Sequence, residues 1–280
     1  MNIKDIINYG KNYLNENNVD DYETIVKIIV EYVFKINKNE FILHYEDEAD
    51  ELAVFDYKRY LKQIADGVPI QYITNKQEFM NLNFYVDENV LIPQPDTETL
   101  VEEVISIYKD TKCEILDLCT GSGAIGISLA KYISESYVTI SDISQKAIQI
   151  AKLNSETNQV HNKMEYYESD MFTNIEKKQY DIIVSNPPYI ETSIIEALDK
   201  QVKHEPYIAL DGGSDGLKFY KIIVKNSPDY LKNGGRLFLE IGYNQKDSVM
   251  KLLEESKNYS NIYSKKDLGG NDRIIVATRR

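Results

Sequence analysis

The stretch SNPPYI, residues 185–190, closes an apolar run, DIIV, with an asparagine and two prolines. Neither Pro187 nor Pro188 carries a backbone N–H, so the segment offers acceptors, the Asn186 side-chain oxygen and main-chain carbonyls, with few competing donors. An acceptor-rich cup selects an NH₂ group, and Tyr189 adds a flat face that packs on a planar amide or a base. The nitrogen of an amide or exocyclic amine is a poor nucleophile because its lone pair is delocalised. It gains positive charge as it attacks an electrophile, and two acceptors would both orient it and stabilise that charge. These residue types fit group transfer to a planar nitrogen and offer nothing evident to hydride transfer. The bland reading is a rigid turn that only stops a strand.

A second cluster is LDLCTGSGAIG, residues 116–126, in which Gly121, Gly123 and Gly126 follow the order G-x-G-x-x-G between an expected strand and an expected helix. Such glycines let the backbone turn tightly and approach a ligand. Asp142 ends the next strand, about 20 residues on, where a carboxylate accepts hydrogen bonds from ribose hydroxyls. The glycines alone do not choose between a dinucleotide, with its pyrophosphate on the helix N-terminus, and S-adenosylmethionine. The acceptor cup at residues 186–189 favours the latter, as donor of a methyl group. Packing of helix on sheet is the competing role for the glycines, and capping of the helix that opens at Ser144 is the competing role for Asp142. Cys119 reads as a small loop residue, since no histidine lies nearby in sequence to activate it. His44, His161 and His204 form no spaced pair, so no metal is expected.

These residues need elements to position them. CEILDL, YVTISD, MEYYES, YDIIVSN and GGRLFLEIG read as strands separated by the helical stretches GAIGISLAKYI, QKAIQIAKLNS and DGLKFYKIIVKNSPDYL. Repeated βα units imply a parallel, doubly wound sheet. After the helix DSVMKLLEES, the runs NYSNIYSKK and DRIIVATR flank the turn DLGGN and predict an antiparallel hairpin at one edge. Residues 1–74 read as a helical unit, with Ile25, Ile28, Ile29, Val33 and Ile36 on one helix face and Leu52, Phe55, Leu61 and Ile64 on another. QEFMNLNFYVDENV, broken by asparagines around Leu82, predicts a hairpin. The expected division is therefore 1–74 helical, 75–95 hairpin and linker, and 96–280 catalytic. In PDTETLVEEVISI, Asp96 fits an N-cap, while Pro93 and Pro95 suit a stiff loop against the cofactor.

Composition narrows the function further. With 280 residues, 42% of them hydrophobic, the chain can bury a sizeable core. Its 32 basic and 45 acidic residues give a net charge of -13, which argues against a broad phosphate-binding face. Two cysteines, Cys113 and Cys119, are too few for a disulfide framework and fit a reducing cytosol. No apolar run is long enough to span a bilayer, and the N-terminus lacks the pattern of a signal peptide. The sequence therefore reads as a soluble cytoplasmic protein.

With these motifs in view, the chain resembles the protein-(glutamine-N5) methyltransferases that modify peptide chain release factors, the HemK/PrmC family. The resemblance runs from RYLKQIADGVPIQYITNKQEF (59–79) through LIPQPDTETLVEEV, LDLCTGSGAIGISLA, SDIS, ESDMF and IVSNPPYI to HEPYIALDGGSDGL, GGRLFLEIG and DLGGNDRIIVA. PxPDTE ahead of the glycine loop, with a helical N-terminal unit, is the feature that points to this family, since NPPY is shared with adenine-N6 DNA methyltransferases and some RNA methyltransferases. The resemblance implies a Rossmann-like class I S-adenosylmethionine-dependent methyltransferase fold, with a seven-stranded, mostly parallel sheet. It implies that Cys119, Thr120, Gly121, Ser122 and Gly123 cradle S-adenosylmethionine, that Asp142 holds its ribose and that Asp170 and Met171 border its adenine. Asn186 would face the cofactor, and Asn186, Pro187, Pro188 and Tyr189 would take the substrate glutamine, its amide hydrogens going to Asn186 and the Pro187 carbonyl. The substrate implied is the Gly-Gly-Gln loop of class I release factors, and the products are N5-methylglutamine and S-adenosylhomocysteine. No direct nucleic-acid or membrane partner is expected.

Gln94 stands where the family usually has arginine, Cys119 where glycine is common, Met171 where an aromatic is frequent and His204 where phenylalanine is usual. Glu205-Pro206 and DGGSDG read as a substrate-side loop or a surface turn. The nearest rival is an adenine-N6 DNA or RNA methyltransferase using the same cup on a flipped base, which should bring a basic channel for the backbone. Three weaker readings share parts of the pattern: a ribosomal protein as substrate, an NAD-dependent oxidoreductase built on the same glycines, and a non-catalytic binding module.

Overall fold

The computed structural model describes residues 1–37 and 39–280. The chain folds into two compact units, one made of Met1–Asn75 with Asp199–His204, the other of Lys76–Leu198 with Glu205–Arg280.

In the first unit, Asn2 begins helix α1 (Ile3–Glu16) by accepting the N–H of Asp5 at 2.8 Å, and Asp50 begins α3 (Glu51–Ala65) by accepting that of Ala53 at 3.1 Å. Both side chains satisfy a donor that the first helical turn leaves unpaired. With α2 (Tyr22–Phe34) and the short α4 (Ile70–Thr74) they enclose a core that includes Ile6, Leu14, Val26, Ile29, Leu61 and Ile64. Three expected core positions are corrected: Ile28, Leu52 and Phe55 are 37%, 76% and 67% exposed. The inward stripe of α3 runs through Val54, Tyr57, Leu61 and Ile64, and at 100° per residue Leu52 and Phe55 fall on the far side of it. In α2 the buried residues are Val26, Ile29 and Val30, and the helix ends before Ile36.

The second unit opens with a hairpin, β1 (Gln77–Phe79) and β2 (Leu82–Phe84), whose turn residues Met80 and Asn81 both have positive φ, 51° and 56°. That is the handedness a two-residue hairpin turn needs. Met80 is unusual there, and its backbone is held from both sides: its N–H donates to Glu98 at 2.6 Å and its carbonyl accepts from Tyr132 at 2.5 Å. Phe79 and Phe84 are buried in the core shared with α5 (Pro95–Tyr108) and α6 (Ala124–Tyr132). The hairpin is thus an integral part of this unit.

The sheet follows: β3 (Cys113–Leu118), β4 (Ser136–Asp142), β5 (Met164–Glu168), β6 (Tyr180–Ser185), β7 (Leu231–Glu240), β8 (Tyr259–Lys266) and β9 (Asp272–Arg279), in spatial order β5-β4-β3-β6-β7-β9-β8. The first five pair in parallel, while β9 is antiparallel to both neighbours, which gives the expected terminal hairpin. Alternation along the strands serves two cores. Ile115, Ile182, Val184, Phe238 and Val276 face one, and Leu116, Ile183, Leu237, Leu239 and Ile275 face the other. The first is covered by α5, α6 and α7 (Gln145–Thr157), the second by α10 (Lys218–Asn226) and α11 (Lys246–Ser256), and short helices α8 (Thr192–Ile195) and α9 (Tyr207–Leu210) lie in the connection after β6. After β3 the chain proceeds outward to β4 and β5, then returns to build β6 and β7 on the other side. This reversal opens a crevice beyond the carboxyl ends of β3 and β6, where ligands bind in such sheets.

Fully buried Asn154 on α7 fastens the hairpin to the crevice. Its amide donates to the carbonyls of Tyr85 (3.0 Å) and Ser122 (2.9 Å), and its oxygen accepts from the N–H of Tyr85 at 2.7 Å. Asn154→Ala leaves these backbone groups unpaired, so urea unfolding should show a loss of about 2–3 kcal/mol.

Candidate functional site

The loop after β3 is held by two carboxylates. Asp117, which sequence reasoning passed over, is fully buried and accepts from the Thr120 hydroxyl at 2.6 Å and the Gly126 N–H at 2.9 Å. Burial pushes its carboxyl up to about 7, those two donors opposing the shift. Asp142 accepts the N–H of Gly121 through one oxygen and that of Ser144 through the other, both at 2.9 Å. Burial raises it too, against the N–H groups of Ser144, Gly121 and Ile143. An acidic residue closing the strand before the glycine loop was the signal that could have pointed to Asp117.

Two glycines do different work. At Gly126 an added Cβ would come within 2.7 Å of Ile140 and 2.9 Å of Asp117, so α6 lies close to the sheet only because that residue has no side chain. Gly121 has φ +53° and no atom within 4 Å of the corresponding position. It borders a cavity of about 240 Å³ lined also by Cys119, Asp142, Asp170, Met171, Asn186 and Pro188. Of the other expected site residues, Thr120, Ser122 and Gly123 do not line it: Thr120 and Ser122 are buried, and Gly123 caps α6 with φ +84°. Pro187 and Tyr189 are absent from the lining as well, and the Tyr189 hydroxyl turns inward to donate to Glu240 at 3.2 Å.

The lining suits S-adenosylmethionine better than a dinucleotide. Gly126 N–H, in the first turn of α6, is already taken by the Asp117 carboxylate, an anion where a pyrophosphate would need donors. Ile143, Met171, Phe219 and Ile222 supply apolar walls, Asp142 a carboxylate and Gly121 open space beside the backbone. The two unusual residues touch each other: Cys119 Sγ is 3.8 Å from Met171 Sδ, and both have positive φ, 59° and 49°. Burial raises the Cys119 thiol well above its ordinary range, which favours its protonated form. Gly121→Ala fills ligand space without meeting protein atoms. Isothermal titration should show cofactor affinity falling about tenfold, with the melting midpoint lowered by roughly 2–8 °C for an alanine held at positive φ.

The NPPY segment is braced from beneath. Ile190 exchanges hydrogen bonds with Leu210 and Gly212, and Gln245 donates to the Tyr189 carbonyl at 2.9 Å. DGGSDG therefore acts as a support for this segment. The PQPD stretch differs from expectation in two ways. Gln94, not Asp96, occupies the N-cap position of α5, and Asp96 instead pairs with Arg273 at 3.0 Å. Pro95 at the first helical position moves the start of the helix ahead of Asp96. The residues that reach the cavity are Asn89, Val90 and Leu91, upstream of Pro93 and Pro95. Glu205 anchors this strap by accepting the Ile92 N–H at 2.9 Å, and burial raises its carboxyl to about 7. Gln94, where an arginine is usual, is exposed and donates back to the Ile92 carbonyl at 2.9 Å. His204 falls in the segment grouped with the helical unit.

Among the described residues no helix is long and apolar enough to cross a membrane, and no His, Cys, Asp and Glu cluster could hold a metal ion. Residues 5–74 match the family described as PrmC N-terminal domain, and residues 95–205 match that described as Methyltransferase small domain. A release factor glutamine methyltransferase from Clostridium acetobutylicum is 40% identical over 283 residues, covering 100% of this chain and 99% of the relative. One from Fusobacterium nucleatum is 40% identical, covering 98% and 78%. Among solved structures, a methyltransferase from Pyrococcus furiosus shares the fold at a TM-score of 0.55 with 16% identity, covering 79% of this chain and 98% of that one. The glycine loop, the strand-end carboxylate and the NPPY cup thus occur in a chain similar over its whole length to those relatives, and this protein belongs to the release factor glutamine methyltransferase family.

Proposed function

We propose that this protein methylates the side-chain amide nitrogen of the glutamine in the Gly-Gly-Gln motif of class I peptide chain release factors. The observation that carries the reading is Asn186 at the crevice between β3 and β6, lining the cavity while its NH₂ is already engaged by Thr97. Its side chain is left to offer an oxygen, the partner an amide hydrogen needs.

S-adenosylmethionine, when bound, supplies a methyl group on a positively charged sulfur. The chain's part is to orient and to stabilise. Asp142 holds the ribose, Gly121 lets the backbone approach, and Met171 with Ile143 borders the base. Asn186 Oδ1 and the Pro187 carbonyl take the two hydrogens of the substrate amide, aim its nitrogen along the line of attack and oppose the positive charge that develops on it. No side chain is required to remove a proton before attack. The helical unit contributes to recognition of the protein substrate, and the reaction belongs to the cytoplasm, where release factors work.

The test is methyl transfer from labelled S-adenosylmethionine to a purified unmethylated release factor, beside the same factor with its Gly-Gly-Gln glutamine replaced by alanine and an equal mass of unmethylated DNA. Label only on the intact factor supports both substrate and target residue. Label on the DNA, or on the alanine variant, overturns them.

A further inference from the structure

Resting on the glutamine-amide reading above, we infer that Thr97 and Glu240 are positioning residues that set which atom of the Asn186 amide faces the substrate. The two ends of a side-chain amide are nearly alike in shape, so its orientation is decided by its partners. Here the NH₂ of Asn186 donates to the Thr97 hydroxyl oxygen at 3.3 Å. A threonine that accepts there must send its own proton elsewhere. Thr97 is 4% exposed, and the carboxyl close enough to feel its hydroxyl is that of Glu240, 2% exposed at the end of β7. One oxygen of Glu240 takes the Tyr189 hydroxyl at 3.2 Å, while Oε2 is buried without a donor in hydrogen-bonding geometry. Thr97 also exerts the strongest pull toward the ionised form of that carboxyl. A buried carboxylate oxygen with no hydrogen-bond partner among the described residues, close to a buried hydroxyl, completes the chain: Asn186 to Thr97 to Glu240.

Polarity is the consequence. With Glu240 ionised, each group donates toward it, and Asn186 turns its oxygen to the cavity. With Glu240 protonated, the carboxyl can donate to Thr97, Thr97 to the Asn186 oxygen, and the amide then presents NH₂ to the substrate, the wrong sign for binding an amide hydrogen. The groups facing Glu240 are Tyr189 from the NPPY segment, Asp96 and Thr97 from α5, Arg273 from β9 and Tyr220 from α10. Burial raises the carboxyl to about 7, with Thr97, Arg273 and Tyr189 lowering it and Asp96 raising it. A carboxyl raised in this way can exchange its proton over the pH range in which the enzyme is assayed.

Two readouts decide the matter. In protein labelled with nitrogen-15 at asparagine, the side-chain amide signal that disappears in Asn186→Ala should shift with a midpoint near pH 7, and this shift should vanish in Thr97→Val and Glu240→Gln. No shift in the unaltered protein, or one that survives in both variants, overturns the inference. In steady-state assays, Thr97→Val should lower kcat about 10- to 100-fold, with KM for the release factor and affinity for S-adenosylhomocysteine nearly unchanged and Thr97→Ser restoring the rate. The unaltered enzyme should lose kcat as pH falls below 7 and Glu240 takes up a proton; Glu240→Gln should lower kcat similarly to Thr97→Val, because Tyr189 occupies its oxygen and its NH₂ is left to face Thr97, and should show no such pH dependence. Wild-type kcat in Thr97→Val overturns the inference. If the unaltered enzyme fails to methylate the release factor, the substrate reading falls, and the amide titration still decides the relay.

Discussion

Asn186→Ala should lower kcat by roughly 10²- to 10³-fold and leave cofactor affinity within about twofold, the scale expected when one preorganised partner of a developing charge is removed. The effect is large because the substrate nitrogen has no other side-chain acceptor at the NPPY cup: Tyr189 points its hydroxyl away to Glu240, and the prolines contribute only carbonyls. The fold should tolerate the change. Asn186 is half-buried and makes one side-chain hydrogen bond, to Thr97, so about 1 kcal/mol of stability is at stake. Calorimetric titration with S-adenosylhomocysteine, run beside turnover on the release factor, separates the two effects. Equal losses in both would show that Asn186 serves the cofactor and not the transfer.

Asp142→Ala should weaken cofactor binding by roughly 10²-fold, since hydrogen bonds to a charged group contribute about 1.5–3 kcal/mol, and leave kcat at saturation within a few-fold. Part of that loss is indirect. Asp142 also holds the N–H groups of Gly121 and Ser144 at 2.9 Å, so alanine would loosen the glycine loop as well as remove the proposed ribose acceptor. Asp142→Asn keeps one acceptor oxygen and should lose only about tenfold, the range of a single weakened hydrogen bond. A dissociation constant unchanged in both variants would remove Asp142 from the ribose site.

Much of this was legible in the chain. The βα alternation from residue 100 onward, the glycines at 121, 123 and 126, and the turn DLGGN are local signals, each set by the conformations that a few neighbouring residues allow, and the sheet follows them. A segment rich in acceptors and poor in backbone donors at residues 186–188 is likewise a property of residue type alone. Helix faces were harder to read: the spacing of Leu52 and Phe55 matched a helix, yet burial fell on Tyr57, Leu61 and Ile64, because a period identifies an apolar stripe only when every competing stripe is weaker.

What tertiary structure alone decided is the polar interior beneath the cup. Glu240 looks like an ordinary strand-end acid in sequence, and Thr97 like one residue of a helix start. Asn186 lies 89 residues from Thr97, and Tyr189 lies 51 from Glu240. They meet because the strand order reverses at β3 and β6 and because β7 ends beside them. Burial there removes water, so each carboxyl must find its donors within the fold. That obligation depends on neighbours which no local pattern specifies.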